Sequence, residues 1–177
     1  MEQHANNKNI ILIGMMGAGK TFIGRKLAKL LAHFKYVDID EEIEKEQGLT
    51  ISEIFEKHSE KHFRELETNV VKKFSKYKNL IISTGGGTFE NPENIEFLKE
   101  NGIIFYLNAS AQELFNRIGN ESNRPLLKDS FSVKMIKELL KKREKNYLKA
   151  DFVIDTDKKQ AYTILDNILK EYNNYVK

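Results

Sequence analysis

Cysteine is absent from the 177-residue sequence, which excludes disulfide bonds, thiolate metal sites and a cysteine nucleophile. Proline is scarce as well. The two prolines, Pro92 and Pro125, do not mark a boundary between domains, and the sequence has no internal repeat or low-complexity linker. The length suits one domain with a single buried core. We therefore expect residues 1–177 to form a single domain.

Long apolar runs and strong charge asymmetry are also missing. No apolar run approaches the length that crosses a bilayer, and residues 1–9 lack the basic start and apolar centre of a signal peptide. A net charge of +3 is too mild to indicate a nucleic-acid partner, but it suits anionic small molecules. The four histidines show no ligand-like clustering; they are His4, His33, His58 and His62. We expect a cytoplasmic monomer without a membrane or nucleic-acid partner.

Short apolar runs alternate with longer helical patterns, which is typical of an α/β protein whose parallel sheet is covered on both faces. The predicted strands are residues 10–13, 36–38, 80–83, 103–107 and 152–154. Apolar residues at helical spacing predict helices over 20–32 and 161–172, and 41–46, 51–58 and 63–74 have helical patterns too. The last three lie between the second and third strands. They exceed what a simple crossover needs, so they predict a helical substrate-binding region at about 38–67.

The most informative stretch, GMMGAGKT, directly follows the first predicted strand. It fits the phosphate-binding pattern G-x-x-x-x-G-K-[ST] at every fixed position, with a strand before it and a helix after it. Glycines let backbone N–H groups turn toward phosphate oxygens, and the helix start adds further N–H groups. The predicted nucleotide-binding residues are Gly14, Gly17, Ala18, Gly19, Lys20 and Thr21. The alternative is a glycine-rich turn with an incidental lysine.

Two acids, Asp38 and Asp40, follow the second predicted strand. At positions i and i+2 both side chains would leave the same face of an extended chain. Ligands of open α/β sheets lie beyond the carboxyl ends of the strands, which puts these acids near the phosphates. Asp38 would then attend the metal and Asp40 the acceptor hydroxyl. Paired acids at a strand end are also typical of helix caps.

Further along the chain, Arg64 and Glu67 lie three residues apart on a predicted helix. Such a pair is typical of a solvated ion pair worth a few tenths of a kcal/mol. The alternative is an arginine that binds a carboxylate through two hydrogen bonds, with Glu67 fixing the guanidinium. Gly85, Gly86 and Gly87 follow the third strand, either as a flexible turn or as backbone on which a ligand rests.

A polar stretch at about 118–130 predicts a lid between helices. Arg117 and Arg124 flank it or lie within it, and Arg143 lies on the helix before the last strand. Kinases need cations that neutralise the transferred phosphoryl group, and closing loops often supply them. Solitary arginines are usually surface residues, so an assignment of these three depends on similarity to a known family.

Five motifs in this order and spacing make the chain resemble the shikimate kinases. They are the phosphate loop, Asp38-Ile39-Asp40, Phe63-Arg64-Glu65-Leu66-Glu67, Gly85-Gly86-Gly87 and Arg124-Pro125-Leu126-Leu127. The resemblance, over about residues 10–155, implies the three-layer P-loop kinase fold of nucleoside monophosphate kinases, with parallel strand order 2-3-1-4-5. It also implies ATP-dependent phosphorylation of the shikimate 3-hydroxyl with Mg²⁺, giving shikimate 3-phosphate for aromatic amino acid biosynthesis.

On the nucleotide side, the resemblance implies that Lys20 contacts the β- and γ-phosphates. Thr21 and Asp38 would hold Mg²⁺, the latter through water. Arg117 would lie against the adenine. Arg124 would be the lid arginine that closes over the phosphoryl group.

On the acceptor side, the resemblance implies that Asp40 binds the hydroxyl to be phosphorylated and acts as its base. Arg64 and Arg143 would clamp the shikimate carboxylate, and Glu67 would support Arg64. The residues implied to line the substrate pocket are Gly85, Gly86 and Gly87.

The chain departs from the family pattern at three places. Phe22 stands where the family commonly has a second hydroxyl residue, so one contact to the α-phosphate is expected to be missing. After Arg143 the usual Arg-x-Pro-Leu-Tyr becomes Arg-Glu-Lys-Asn-Tyr, and residues 156–159 are unusual on the adenine side. Two rival functions remain: a gluconate kinase of the same fold, and a nucleotide-binding switch or scaffold without catalysis.

Overall fold

The computed structural model describes residues 8–119 and 132–177, and its centre is a five-stranded sheet. The strands are β1 (Asn9–Ile13), β2 (Lys35–Asp38), β3 (Leu80–Ser83), β4 (Gly102–Asn108) and β5 (Phe152–Asp155). All neighbouring strands are parallel and their order is β2-β3-β1-β4-β5. The predicted order is confirmed, and each strand extends its predicted run by at most one residue at either end.

Helices connect the strands and account for most of the remaining described chain. They are α1 (Lys20–Leu30), α2 (Ile39–Gln47), α3 (Ile51–Lys57), α4 (Glu60–Ser75), α5 (Pro92–Asn101), α6 (Ala111–Gly119), α7 (Val133–Tyr147) and α8 (Ala161–Val176). A 3₁₀ turn, Thr88–Glu90, lies between β3 and α5. Local sequence sets several starts: Thr50 and Glu53 form a capping box before α3, and Ser59 caps α4.

The core has one hydrophobic cluster on each face of the sheet. Successive residues of β1 point to opposite faces, so Ile10 and Leu12 join the cluster that includes α1 and α8. Ile11 and Ile13 join the other cluster, which includes α2, α4 and α5. Every residue of β1 is buried, as expected for a central strand covered by helices on both sides. This confirms the three-layer arrangement.

The segment at Asp38 and Asp40 differs from the extended chain that the two-residue spacing predicted. The strand ends at Asp38 and α2 already begins at Ile39, so the extended-chain argument for Asp40 is wrong. The side chain of Asp38 accepts from the backbone N–H of Asp40 at 3.1 Å and caps the helix. The helix-cap interpretation therefore holds for Asp38, while Asp40 lies in the first helical turn.

This topology gathers several loops at one edge of the sheet. In the sheet, β3 and β2 lie on one side of β1, and β4 and β5 lie on the other side. Ligands of open α/β sheets bind where the strand order reverses in this way, beyond the strands' carboxyl ends. The phosphate loop, the start of α2 and residues 84–87 all lie at this edge. Residues 118 and 119 end α6, whereas Arg124 and the rest of the predicted lid lie outside the described residues.

None of the helices within residues 8–119 and 132–177 combines the length and apolarity needed to cross a membrane.

Candidate active site

The phosphate loop, residues 14–19, joins β1 to α1 in a conformation that requires glycine. Gly17 and Gly19 have φ angles of 78° and 91°, in the left-handed region that side chains disfavour. A Cβ on Gly17 would also lie 2.7 Å from Cγ1 of Ile118. The sequence context therefore folds as predicted, as a strand, a glycine-constrained loop and a helix.

Lys20 is the first residue of α1 and is largely buried. Its ammonium donates to the carbonyl oxygens of Gly14 at 2.8 Å and Met15 at 3.0 Å. The loop's own carbonyl groups thus hold the cation within the phosphate loop.

Thr21 and Asp38, which the sequence assigned to the metal, lie side by side. The Thr21 hydroxyl donates to Oδ2 of Asp38 at 3.1 Å, and the Tyr36 hydroxyl donates to the same oxygen at 2.9 Å. Mg²⁺ prefers oxygen ligands and is usually bound by one or two carboxylates together with substrate phosphates and water. A hydroxyl and a carboxylate beside the phosphate loop therefore fit this ion.

A cavity of about 930 Å³ opens in front of the loop. Asp38, Asp40 and Gly85 line it together with the loop, and so do Arg117 and Lys159 from α6 and the segment before α8. Its size is within the range of ligand pockets. The cavity thus joins the phosphate loop to Asp40, Gly85 and Gly86 and to the predicted adenine contact, Arg117. The other predicted acceptor residues are not among those that line it; they are Arg64, Glu67, Gly87 and Arg143.

Asp40 carries a perturbed carboxyl group at this cavity. Burial and the carboxylates of Asp38 and Glu67 raise the pKa of Asp40 from 3.8 to about 6, while the ammonium of Lys20 opposes that change. Its Oδ1 is buried, and no hydrogen-bond donor from the described residues reaches it. A buried acceptor in this state is poised for a hydroxyl from a ligand.

The raised pKa predicts that Asp40→Asn stabilises the metal-free protein at pH 8 and leaves its stability nearly unchanged at pH 4. The folded state binds the Asp40 proton more tightly than the unfolded state does. The free energy of unfolding therefore falls as the pH rises from about 4 to about 6, and the full cost is present above about pH 7. The gain at pH 8 should be roughly 3 kcal/mol, since each pKa unit corresponds to about 1.4 kcal/mol. Denaturant unfolding in EDTA at both pH values measures it; equal effects at pH 4 and 8 would contradict the prediction.

Each of the three glycines after β3 lies close to at least one predicted acceptor residue. A Cβ on Gly85 would lie 2.9 Å from Oδ1 of Asp40, and one on Gly87 would lie 2.7 Å from Nη2 of Arg64. At Gly86 the corresponding distance to Nη1 of Arg143 is 3.4 Å. Side chains at the first and third positions would collide with these groups. A Cβ on Gly85 would also lie 3.1 Å from Oε1 of Glu67. The structure thus brings two carboxylates and two guanidinium groups together around residues 85–87, where the backbone carries no side chains.

Arg64 and Glu67 do not form a solvated surface pair. Glu67 is 1% exposed, and its Oε2 accepts from Nη1 of Arg64 at 3.0 Å. The exposed Glu60 binds Nη2 of the same arginine at 3.2 Å. A buried carboxylate beside a partly exposed guanidinium fits the interpretation that Glu67 orients Arg64.

Arg117 lines the cavity and also holds the segment that follows β5. Its Nη1 donates to the hydroxyl of Thr156 at 3.1 Å and its Nη2 to the carbonyl oxygen of Thr156 at 2.6 Å. Its Nε binds Glu113 at 3.0 Å. The guanidinium plane is therefore fixed at the cavity wall, where the contact with adenine remains a prediction.

Known proteins of one family resemble this chain along nearly its whole length. A family model described as shikimate kinase matches residues 16–173. The chain belongs to the shikimate kinase family. A shikimate kinase of Thermodesulfovibrio yellowstonii is 47% identical over 165 residues, which cover 93% of this chain and 95% of the relative.

Solved structures extend the family resemblance to the whole fold. A shikimate kinase from Acinetobacter baumannii in complex with shikimate has a TM-score of 0.88 and 38% identity, with 97% of this chain and 96% of that chain covered. A gluconokinase from Sinorhizobium meliloti covers 98% of this chain and 95% of its own, with a TM-score of 0.63 and 13% identity. At that identity the likeness to the gluconokinase shows the fold alone.

Two departures from the shikimate kinase pattern can be placed in the structure. Phe22 is 56% exposed and lines the cavity, with the ammonium of Lys26 4.9 Å from its ring centroid. In the altered segment after Arg143, Tyr147 is buried and its hydroxyl donates to the carbonyl oxygen of Gly86. The two residues kept from the family pattern, Arg143 and Tyr147, therefore both contact the glycine segment.

Sequence reasoning missed several residues beside the shikimate kinase site. Thr88 and Glu90, which directly follow the three glycines, bind Glu67 and Arg143 respectively. Adjacency to Gly87 was the one signal for them, because their partners are distant in sequence. Three cations of α1 that belong to none of the five motifs also line the cavity: Arg25, Lys26 and Lys29.

Proposed function

We propose that this protein transfers the γ-phosphoryl group of ATP to the 3-hydroxyl of shikimate. The observation that carries the proposal is the arrangement around residues 85–87, where Asp40 faces one glycine and Arg64 and Arg143 face the next two. A hydroxylated carboxylic acid needs both a hydroxyl acceptor and cations for its carboxylate. The A. baumannii relative of the same family binds shikimate, which is such an acid.

On the nucleotide side, the phosphate loop and Lys20 would bind the β- and γ-phosphates through backbone N–H groups and the ammonium. Thr21 and Asp38 would hold Mg²⁺, which supplies neutralisation of phosphate charge when bound. Arg117 would contact the adenine. Arg124, which lies outside the described residues, would complete the set of cations when the lid closes.

On the acceptor side, Asp40 would accept a hydrogen bond from the shikimate hydroxyl, orient it toward the γ-phosphate and take its proton as the bond to phosphorus forms. Arg64 and Arg143 would bind the carboxylate at the other end and so fix the ring. Most of the catalytic effect would come from this positioning and from electrostatics, because the transition state of phosphoryl transfer is loose.

The direct test is ADP release by the purified protein with ATP, Mg²⁺ and either shikimate or gluconate. We expect rapid, shikimate-dependent release and little with gluconate. Faster turnover on gluconate would assign the chain to the rival activity. ATP binding with no release in the presence of shikimate would favour the switch or scaffold.

Phe22→Thr is expected to tighten nucleotide binding by restoring a hydroxyl that donates to the α-phosphate. One such charge-assisted hydrogen bond corresponds to roughly a tenfold lower Kd for ADP. Since the Phe22 ring is mostly exposed, the unfolding free energy should change by less than about 0.5 kcal/mol. Calorimetric titration measures the Kd, with Phe22→Ala as the matched control that removes the ring without adding a hydroxyl. Weaker binding by both variants would show that the ring itself contacts the nucleotide.

A monomeric state, a cytoplasmic location and the absence of a nucleic-acid partner stay predictions. The proposed reaction needs neither a second copy of the chain nor a nucleic acid, because both proposed substrates are small molecules that would bind within one chain.

A further inference from the structure

We propose that the 3₁₀ turn Thr88–Glu90 is a positioning element that orients both arginines of the acceptor site. One end of the turn reaches Arg64 through Glu67, and the other end binds Arg143 directly. The inference rests on the proposed function, because it assumes that these two guanidinium groups bind the carboxylate of shikimate.

The first branch runs from Thr88 to Arg64 through a buried carboxylate. The hydroxyl of Thr88 donates to Oε1 of Glu67 at 2.6 Å, and the other oxygen of Glu67 accepts from Arg64 at 3.0 Å. Glu67 and Thr88 are both buried. A buried carboxylate needs partners for both oxygens, so Thr88 determines how Glu67 is oriented and which of its oxygens is left for Arg64.

Thr88 is itself held in place from the other side. Its carbonyl oxygen accepts from Nδ2 of Asn94 at 3.0 Å, and Asn94 is fully buried in α5. A contiguous polar network therefore extends from Asn94 to Arg64. Networks of this kind restrict the rotamers of their members when the hydrogen bonds are made.

The second branch is the contact between Glu90 and Arg143. Oε1 of Glu90 accepts from Nε of Arg143 at 2.8 Å, and Oε2 binds the exposed Lys142 at 2.9 Å. The Nε edge of the guanidinium is thereby occupied, whereas Nη1 lies against Gly86. Nη1 also donates to Sδ of Met15 at 3.5 Å. Glu90 thus fixes the guanidinium group with Nη1 beside the glycine segment.

The two branches start within three residues of each other, immediately after the glycines that the arginine tips approach. The segment 85–90 therefore both leaves room for the two guanidinium groups and supplies the groups that orient them. Arginine side chains lose much rotamer freedom when they bind a ligand, and prior orientation reduces that loss. We expect this turn to lower the KM for shikimate while having little effect on the phosphoryl-transfer step.

The experiment compares Glu90→Gln and Thr88→Val with the wild type in steady-state kinetics. Each variant keeps the shape of the side chain and removes one charge or one hydroxyl. We expect the KM for shikimate to rise about tenfold in each, with kcat changed less than threefold and the KM for ATP unchanged. Thr88→Ser should restore the wild-type KM. Glu96→Gln, the same substitution on the exposed side of α5, is the matched control and should have no effect.

A neutral substrate distinguishes a turn that orients the arginines from a turn that only supports the pocket. The methyl ester of shikimate retains the hydroxyl groups but lacks the negative charge that the arginines bind. If the turn orients the arginines, the variants and the wild type should have the same KM for this ester. Equal losses on shikimate and on its ester would show that the turn merely supports the fold, and the inference would be overturned.

The outcomes also distinguish this inference from the proposed function. An active wild type with an unchanged KM for shikimate in Glu90→Gln and Thr88→Val overturns the inference and leaves the function intact. A wild type that phosphorylates no shikimate refutes the function itself. If Thr88→Val fails to fold, Glu90→Gln still tests the inference. Glu90 is only partly buried, so we expect this variant to fold.

Discussion

Replacing Asp40 with asparagine is expected to lower kcat at least 100-fold while leaving the Kd for ATP nearly unchanged. Asparagine has almost the same shape but cannot take a proton, and its amide can present an N–H where the hydroxyl of the acceptor needs an oxygen. Loss of a positioned general base typically costs 10²- to 10⁴-fold. The raised pKa of Asp40 also predicts that wild-type kcat/KM falls below about pH 6, because the protonated carboxyl cannot accept the hydroxyl proton.

Glu46→Gln is the matched control for this substitution. Glu46 lies on the same helix, α2, and pairs with Lys73 at the exposed side. It should leave kcat within about twofold of the wild type, since surface ion pairs contribute little. If Asp40→Asn were equally active, Asp40 could not be the residue that receives the hydroxyl. Removal of the buried charge in Asp40→Asn would then affect only stability, as the expected gain at pH 8.

Arg64→Ala is expected to raise the KM for shikimate roughly 30-fold or more, with ATP binding nearly intact. Removing one member of a hydrogen-bonded charge pair costs about 2 to 5 kcal/mol, and every 1.4 kcal/mol is a factor of ten. The substitution removes a cation from the carboxylate of the substrate, and it also leaves the buried Glu67 with Thr88 as its remaining hydrogen-bond partner among the described residues. The unfolding free energy should therefore fall as well.

Steady-state kinetics at saturating ATP measures the change in KM. Arg64→Lys keeps the charge but loses the fork geometry of the guanidinium, so we expect an intermediate KM. Lys61→Ala, one turn earlier on α4 with an exposed side chain, is the control that should change nothing. An unchanged KM for shikimate in Arg64→Ala would remove this arginine from the acceptor site.

The strands and the phosphate loop were predictable because their signals are local. Short apolar runs of three to five residues predicted the parallel strands, and the loop pattern depends on glycines at fixed offsets around Lys20. The boundary at Asp38 was not predictable from spacing. A strand and a helix meet there without an intervening loop, and the choice between an extended chain and a helical turn depends on how α2 packs against the sheet.

Some residues of the site were predictable from motifs, and others were identified only by the structure. Asp40, Arg64 and Arg143 were named through motifs, and the structure places all three around Gly85, Gly86 and Gly87. Thr88 and Glu90 belong to none of the five motifs, and Glu90 contacts an arginine 53 positions away in the chain. A contact over that distance arises from packing of α7 against the turn after β3.

The amino-acid sequence alone was enough to predict the fold class, the phosphate loop and the family, because hydrophobic periodicity, glycine spacing and the order of motifs can all be read along the chain. The tertiary structure decided that Glu67 is buried, that Asp40 has a raised pKa and that one short turn holds two arginines. Burial and charge proximity depend on segments far apart along the chain. These properties exist only once β1, β2 and β3 have brought their following loops to the same edge of the sheet.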